Sequence, residues 1–160
     1  MHLTRSTLFA ALLLLLGAGA CAHSYIEGTQ VVDTDENREI LSIIRKARDA
    51  LQARDSNTLL SMVSTKYFED NGTPDPRDDY GYVELKEKLV KDSLETAKEV
   101  VVDFQIFDIN VDGDNAYADI RYSSRTRLEM PSGRVWDTHR DFDRLQFVRE
   151  DGTWRIVSGL

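Results

Sequence analysis

The side chains best suited to acid–base chemistry sit together late in the chain. His139 and Asp141 are separated by one residue, and in an extended segment that spacing puts both on one face. A carboxylate beside an imidazole can orient it for general base work. Their row also contains Asp137 and Asp143, and so acidic a row reads first as a solvated surface and only second as a catalytic dyad. The alternate row of the same segment holds Trp136, Thr138, Arg140 and Phe142. Its aromatic side chains turn this row toward the core. Arg140 then becomes the strongest polar group of an inner wall, with several donors to offer an anionic group on a ligand. Leu145 and Phe147 have the opposite parity, so a β-bulge is expected after Phe142.

In the preceding apolar alternation, Ala116, Ala118, Ile120 and Tyr122 define the inner face, and Ser124, Thr126 and Leu128 continue it. The expected ligand pocket is therefore Tyr122, Ser124, Thr126, Trp136, Thr138 and Arg140. Polar groups on an apolar face either find partners or line a cavity. Each of these side chains can also serve the fold alone, Arg140 by pairing with an acid and Thr138 by bonding to backbone.

Other constellations carry less. Asp108, Asn110, Asp112, Gly113 and Asp119 match positions of a calcium-binding helix–loop–helix, but their flanks alternate like strands, and a hairpin turn accounts for them. The remaining histidines, His2 and His23, lie far from His139, so no zinc set assembles, and no metal or cofactor is expected. No phosphate-binding glycine loop and no nucleophile elbow occurs.

The elements that must position the pocket are legible. Asp33-Thr34-Asp35-Glu36 reads as a helix start, followed by Ile40, Ile44, Ala47 and Leu51 at helical spacing and an end near Arg54. Asp55-Ser56 can cap a shorter helix carrying Leu59, Leu60 and Val63. Tyr67-Phe68 is expected as a brief strand, and 69–79 is loop chemistry throughout. A third helix is expected over Val83–Lys98. The period then changes to two, with Val100, Val102, Phe104 and Ile106 on one face. Turns at Asp112-Gly113, Pro131-Ser132-Gly133 and Glu150-Asp151-Gly152 divide the rest into an antiparallel meander of about four strands. Helices followed by a meander make the fold class α+β.

The stretch Ala47-Arg48-Asp49-Ala50-Leu51-Gln52-Ala53-Arg54-Asp55 with Leu59-Leu60 resembles the first helices of SnoaL-like proteins, within the nuclear-transport-factor-2-like superfamily. Phe147-Val148-Arg149-Glu150-Asp151-Gly152-Thr153-Trp154-Arg155-Ile156 resembles the last hairpin of that family. The resemblance implies a cone of three helices wrapped by a curved antiparallel sheet, a pocket inside it, and frequent homodimers. It also implies a choice among isomerases, dehydratases, hydrolase-like members and non-catalytic binding modules. With no paired catalytic set on the expected inner row, the leading expectation is a non-catalytic binding or interaction module. A pocket enzyme of isomerase or dehydratase type is the alternative, and a structural protein with a filled core the second.

The chain opens with a charged, apolar and small-residue order: Arg5, then Leu8–Leu16, then Gly17-Ala18-Gly19-Ala20. That order is a secretory signal, and its apolar run is shorter than the ~20 residues of a spanning helix. The lone cysteine, Cys21, follows directly and has no disulfide partner. It resembles the modified cysteine of bacterial lipoproteins, with Ala18 where Leu is usual, while ordinary cleavage after Ala18-Gly19-Ala20 would leave a periplasmic protein. The expected organisation is a signal over 1–20, a tether with lipidated Cys21 over 21–32, and one domain over 33–160. Ala22 after the cysteine fits an outer-membrane lipoprotein, whose partners would be the membrane and a small ligand or envelope protein. With 28 acidic against 20 basic side chains the net charge is −8, which argues against nucleic acid and against a polybasic grip on anionic lipid. Cys21→Ser is expected to move the mature protein from the membrane pellet to the soluble envelope fraction, or to block maturation. Unchanged pelleting of the mature variant would remove the lipid anchor.

Overall fold

The first long element forms where the capping chemistry starts it. In the computed structural model, which describes residues 24–89 and 97–160, helix α1 spans Asp35–Ala53. The Thr34 hydroxyl accepts a hydrogen bond from the Asn37 amide at 3.1 Å, satisfying one of the donors a helix start leaves free. Ile40, Leu41, Ile44, Ala47 and Ala50 are buried along one stripe. Arg54 ends the helix in a left-handed conformation, φ 57°. Asp55 starts the next, α2 over Ser56–Leu60, accepting from the Thr58 amide at 3.0 Å and the Thr58 hydroxyl at 2.6 Å.

After α2 the chain touches the far end of the domain. Ser64 N–H donates to the Ile156 carbonyl and Ile156 N–H to the Met62 carbonyl, both at 2.9 Å, so this segment covers an edge of the main sheet. A small two-stranded sheet follows, β1 (Phe68–Glu69) against β2 (Tyr80–Gly81), and then α3, Tyr82–Lys88. The third helix is shorter than its sequence pattern suggested. Ala97 and Lys98 belong to a strand, where Ala97 is buried against the sheet. Residues 90–96 of the expected helix lie outside the described residues, as do the expected signal and Cys21.

The main sheet is a four-stranded antiparallel meander, β3 (Ala97–Asp112), β4 (Asn115–Met130), β5 (Gly133–Glu150) and β6 (Thr153–Ser158), in sequence order. The residues matching a calcium loop form the β3–β4 hairpin, which closes through Gly113-Asp114 with Gly113 at φ 59°. β4 and β5 pair without a register shift from Asn115↔Val148 to Met130↔Gly133. The bulge expected after Phe142 is absent from the β4–β5 pairing; shifts occur instead at Ala97/Glu99 and Ile106/Asp108 in β3 and at Gln146/Phe147 beside β6. The Ile106/Asp108 shift lets Val102 on one side of it and Ile109 on the other both reach the interior.

Ala116, Ala118, Ile120, Leu145, Phe147, Trp154 and Ile156 meet the α1 stripe in one core. Residues 24–32 are less of a tether than expected. Tyr25 bridges to Val32, and Val31 is buried at 1% exposure. Among the described residues, the buried core positions fall between Val31 and Ile156, so a chain beginning at Ala22 retains all of these. Among the described residues, no helix is long and apolar enough to cross a membrane.

Gly159 marks a close approach. Its φ is 94°, and a Cβ there would stand 2.4 Å from the Arg144 carbonyl oxygen. The glycine therefore fixes how the last residues lie against β5. Trp154 is 3% exposed, with the Arg149 guanidinium 4.5 Å from its ring. Trp154→Ala is expected to cost about 3–5 kcal/mol, the usual loss for a buried aromatic. A denaturation midpoint within error of the parent would show that the β6 face does not depend on this packing.

Candidate functional site

Directly paired residues of an antiparallel sheet share a face. That rule, applied to the unbroken β4–β5 register, assigns the polar side chains. Ile120 pairs with Asp143, Tyr122 with Asp141, Ser124 with His139, Thr126 with Asp137 and Leu128 with Val135. Ala118↔Leu145 and Ala116↔Phe147 continue the same row into the buried core. The inner row of β5 is therefore Asp137, His139, Asp141 and Asp143.

Trp136, Thr138, Arg140 and Phe142 lie on the opposite, outer face, which corrects half of the expected pocket. Trp136 and Phe142 remain 48% and 68% exposed. Their aromatic rings find company outside: Phe142 packs on Phe107 at 5.7 Å between centroids, and the Arg125 guanidinium lies 5.8 Å from the Trp136 ring. Tyr122, Ser124 and Thr126 do stand on the inner face and line a cavity.

That cavity has a volume of about 580 Å³. Leu59, Val100, Val102, Phe104, Ile120 and Leu145 give it an apolar body. Ala50, Leu51 and Leu89 add to it from the helices and their ends, and Gly159 and Leu160 close it from the last residues. Its polar lining is Asp55, Ser56, Tyr122, Ser124, Thr126, Asp137 and Asp143, with no lysine or arginine among the described lining residues. His139 and Asp141 occupy the row positions between Asp137 and Asp143, and all four residues are exposed at the open side of the cavity. The His139 ring stands 5.4 Å from that of Tyr122, tilted by 37°.

The electrostatics of this wall are acidic. Desolvation pushes the Asp143 carboxyl above its ordinary range, and repulsion from Glu69 and Asp141 adds to the rise. A hydrogen bond from the Arg144 amide, 2.7 Å, opposes it. Burial raises the Tyr122 phenol too, followed by the charges of Asp141 and Asp143. Among the described residues the Tyr122 hydroxyl has no hydrogen-bond partner, so its donor is available to a ligand.

Behind the wall, Tyr80 and Tyr67 hold the last residue. The Tyr80 hydroxyl donates to the Leu160 carbonyl oxygen at 2.7 Å, and the Tyr67 hydroxyl accepts from the Leu160 amide at 2.9 Å. Glu69 accepts from the Gly159 amide at 2.6 Å and from the Ser158 hydroxyl at 3.1 Å. Burial, first among the causes, raises both tyrosines. Asp143, Leu160 and the Tyr80–Glu69 support went unread in the sequence. The parity of Leu145 and Phe147, carried back along β5, was the available signal for Asp143. Among the described residues no group of His, Cys, Asp and Glu is arranged to hold a metal ion.

No protein-family model and no curated protein matches the chain. Solved structures do. A protein of the nuclear-transport-factor-2-like family from Streptomyces avermitilis superposes with a TM-score of 0.64 at 14% identity, over 78% of this chain and 93% of that one. A ketosteroid isomerase-like protein from Erwinia carotovora atroseptica gives 0.60 at 15% identity, over 79% and 95%. A hexachlorocyclohexane dehydrochlorinase gives 0.63 at 12% identity, over 78% and 82%. The chain thus has the α+β fold of nuclear-transport-factor-2-like and ketosteroid isomerase-like proteins, with a pocket on the inner face of its sheet.

The raised Asp143 sets a pH dependence whose sign follows from proton linkage. A carboxyl whose pKa is higher folded than unfolded binds protons more readily in the folded state. Its cost to stability is present above the folded value and disappears as pH falls below the ordinary value near 3.8. Asp143→Asn keeps the acceptor for the Arg144 amide and removes the charge. It is expected to raise the melting temperature at pH 7 and to lose that advantage by about pH 3.5. An equal shift at both pH values would mean that the charge on Asp143 is not what the fold resists.

Proposed function

We propose that this domain is a binding module for a small, mostly apolar, neutral or cationic molecule, held at the bacterial cell envelope through Cys21. In this reading α1, α2 and α3 form the cone that closes the helical side of the pocket. The observation that carries it is the cavity itself: an apolar body edged by Asp137, Asp143 and Tyr122, without a cation in its described lining. An apolar cavity with a few convergent polar groups is the usual form of a small-molecule site. An anionic ligand would meet like charge from Asp137 and Asp143 along this wall. The sequence had favoured an anion on the strength of Arg140, whose place on the outer face removes that argument.

A catalytic reading has one specific observation in its favour. Asp143, with a raised carboxyl, and Tyr122, with a free hydroxyl, belong to one inner wall together with His139 and Asp141. A carboxylate tuned upward and a phenol donor are the parts needed to move a proton next to a carbonyl and to stabilise the oxygen as charge develops. That would make the domain an isomerase or dehydratase-like enzyme. The structural neighbours are similar in fold, and their activities are not carried over by it.

Three naphthalene probes of similar size separate the possibilities. With the chain beginning at Ala22, 2-naphthol and 2-naphthylmethylammonium are expected to bind by calorimetry, and 2-naphthoate at least about tenfold more weakly. Val102→Trp, which fills the cavity, is expected to abolish binding while melting remains cooperative. Preference for 2-naphthoate would sink the charge argument, and equal binding in Val102→Trp would sink the pocket. For the catalytic reading the measurement is exchange of the α-protons of 2-tetralone in D2O. Exchange above buffer that is lost in Asp143→Asn and Tyr122→Phe would make the enzyme the better description.

A further inference from the structure

The edge of β5 that faces away from β4 is covered in one stretch and open in the next. β6 pairs with it over residues 146–150, and residues 62–64 in turn cover β6. Gly159 lies against the Arg144 carbonyl. Over residues 133–143 no described strand lies on this edge. Every residue from 133 to 144 is exposed, on the inner and the outer row alike. The backbone groups of a strand alternate between its two edges. Arg149 sends its N–H to the Asp114 carbonyl, on the β4 side. The unbroken β4–β5 register carries that parity back along the strand, so Trp136, Thr138 and Arg140 turn N–H and C=O away from β4. Phe142 and Arg144 have the same parity. Their amides are free of β4 and donate to the carboxylates of Asp141 at 2.8 Å and Asp143 at 2.7 Å. The edge groups of Trp136, Thr138 and Arg140 have no such partner among the described residues.

We infer that this edge takes up an extended segment of a partner protein, added antiparallel to β5 in line with β6, with lysine or arginine at every second position. Directly paired residues share a face. One set of the segment's side chains would therefore stand beside Asp137, His139 and Asp141, and the other beside Trp136, Thr138 and Arg140. The first row is acidic and calls for cations. The second offers an exposed indole and an arginine stem to apolar or aromatic side chains. Charge rejects a second copy of this chain as the occupant. Antiparallel pairing of two β5 edges keeps each face continuous, so it would set acidic row against acidic row and Arg140 among the basic side chains of its twin. Charged positions keep an edge from joining indiscriminately. Here they are sorted by face, so they select one kind of segment.

At ~3.4 Å per residue the open stretch runs roughly 30 Å, room for a segment of about seven residues. In such an addition the main-chain hydrogen bonds supply affinity, and the alternating side chains supply specificity. The net charge of −8 attracts any polycation, so the alternation of the lysines is the feature that distinguishes docking on this edge. The inference is independent of what the cavity holds.

Fluorescence anisotropy of a labelled heptapeptide, Lys-Val-Lys-Tyr-Lys-Val-Lys, with the chain beginning at Ala22 tests it. The peptide is expected to bind at least about tenfold more tightly than one of the same composition with its lysines grouped at one end. In the antiparallel pairing the valine and tyrosine amides point at β5. N-methylation of those amides is expected to abolish binding, and N-methylation of the inner lysine amides to spare it. Thr138→Pro removes an edge N–H that β4 does not use, and it is expected to weaken binding at least about tenfold with melting unchanged. Where that variant melts without cooperativity, the N-methylated peptides decide alone. Val102→Trp, which fills the cavity, is expected to bind the peptide as the parent does. No binding, equal binding of the grouped peptide, or indifference to the site of N-methylation would each overturn the inference. Loss of binding in Val102→Trp would overturn it by placing the peptide in the cavity. Sedimentation that finds a parent dimer and a folded Thr138→Pro monomer would give the edge to a second copy instead.

Discussion

An antiparallel strand pair with no bulge divides its side chains between two faces along its whole length, and every feature of this domain that bears on function follows from that division in β4 and β5. Their register is pinned at the hairpin-distal end of β5, where Leu145 and Phe147 are 1% exposed against Ala118 and Ala116. These positions pack with Ile40 and Ile44 of α1 in the core. Because the period is two, fixing Leu145 inward also fixes Asp143, Asp141, His139 and Asp137 inward. The apolar end of the strand thus decides where its polar end points. A slip of one residue would drive Arg140 and Trp136 into the cavity and expose Leu145 and Phe147 together, which the core opposes at several positions at once.

The cavity is the region where the inner face no longer meets the helices closely. Near Ala116–Ile120 the side chains are small or fully packed, and α1 lies against them. Further along, Tyr122, Ser124 and Thr126 are only half-buried and line open space with Val100, Val102 and Phe104. One strand therefore supplies core at one end and pocket at the other, without a change of direction. The last residues complete the enclosure. Gly159 can lie against the Arg144 carbonyl only because it lacks a side chain, and Tyr67, Tyr80 and Glu69 hold its neighbours with hydrogen bonds. The wall that carries Asp143 is thus braced from behind by these three side chains, of which Tyr67 is fully buried.

Most of the architecture was legible because it is written locally. Thr34 and Asp55 are capping residues by type, Gly113 and Gly152 mark hairpins, and the change from helical to alternating period separates α1 and α2 from the meander. The third helix was overextended because Ala97 suits a helix face and a strand interior equally, and only the pairing of β3 with β4 decides between them. The face of β5 was inverted for a related reason. Trp136 and Phe142 are large and apolar, and their size outweighed Leu145 and Phe147 in assigning the inner row. A bulge was then needed to reconcile the two halves. Without it, the shorter but consistent apolar run at the end of the strand gives the right parity. Large aromatics on an outer face are legible as such only when the neighbouring strands supply partners, here Phe107 and Arg125, and those pairings are not local in sequence.

The corrected division changes what the acidic balance of the chain means. Read as a total, an excess of acids speaks to solubility. Placed on the structure, it separates into an acidic inner row, an acidic outer column on β3 and a basic outer column on β5. The inner row has a cost, since desolvation and neighbouring carboxylates hold Asp143 above its ordinary range. That carboxyl and the Tyr122 phenol both line the cavity. The same register that forces those aspartates inward forces Arg140 outward to the level of Asp103. One packing decision at Leu145 and Phe147 thus sets both the charge that a ligand would meet and the charge pattern of the outer face.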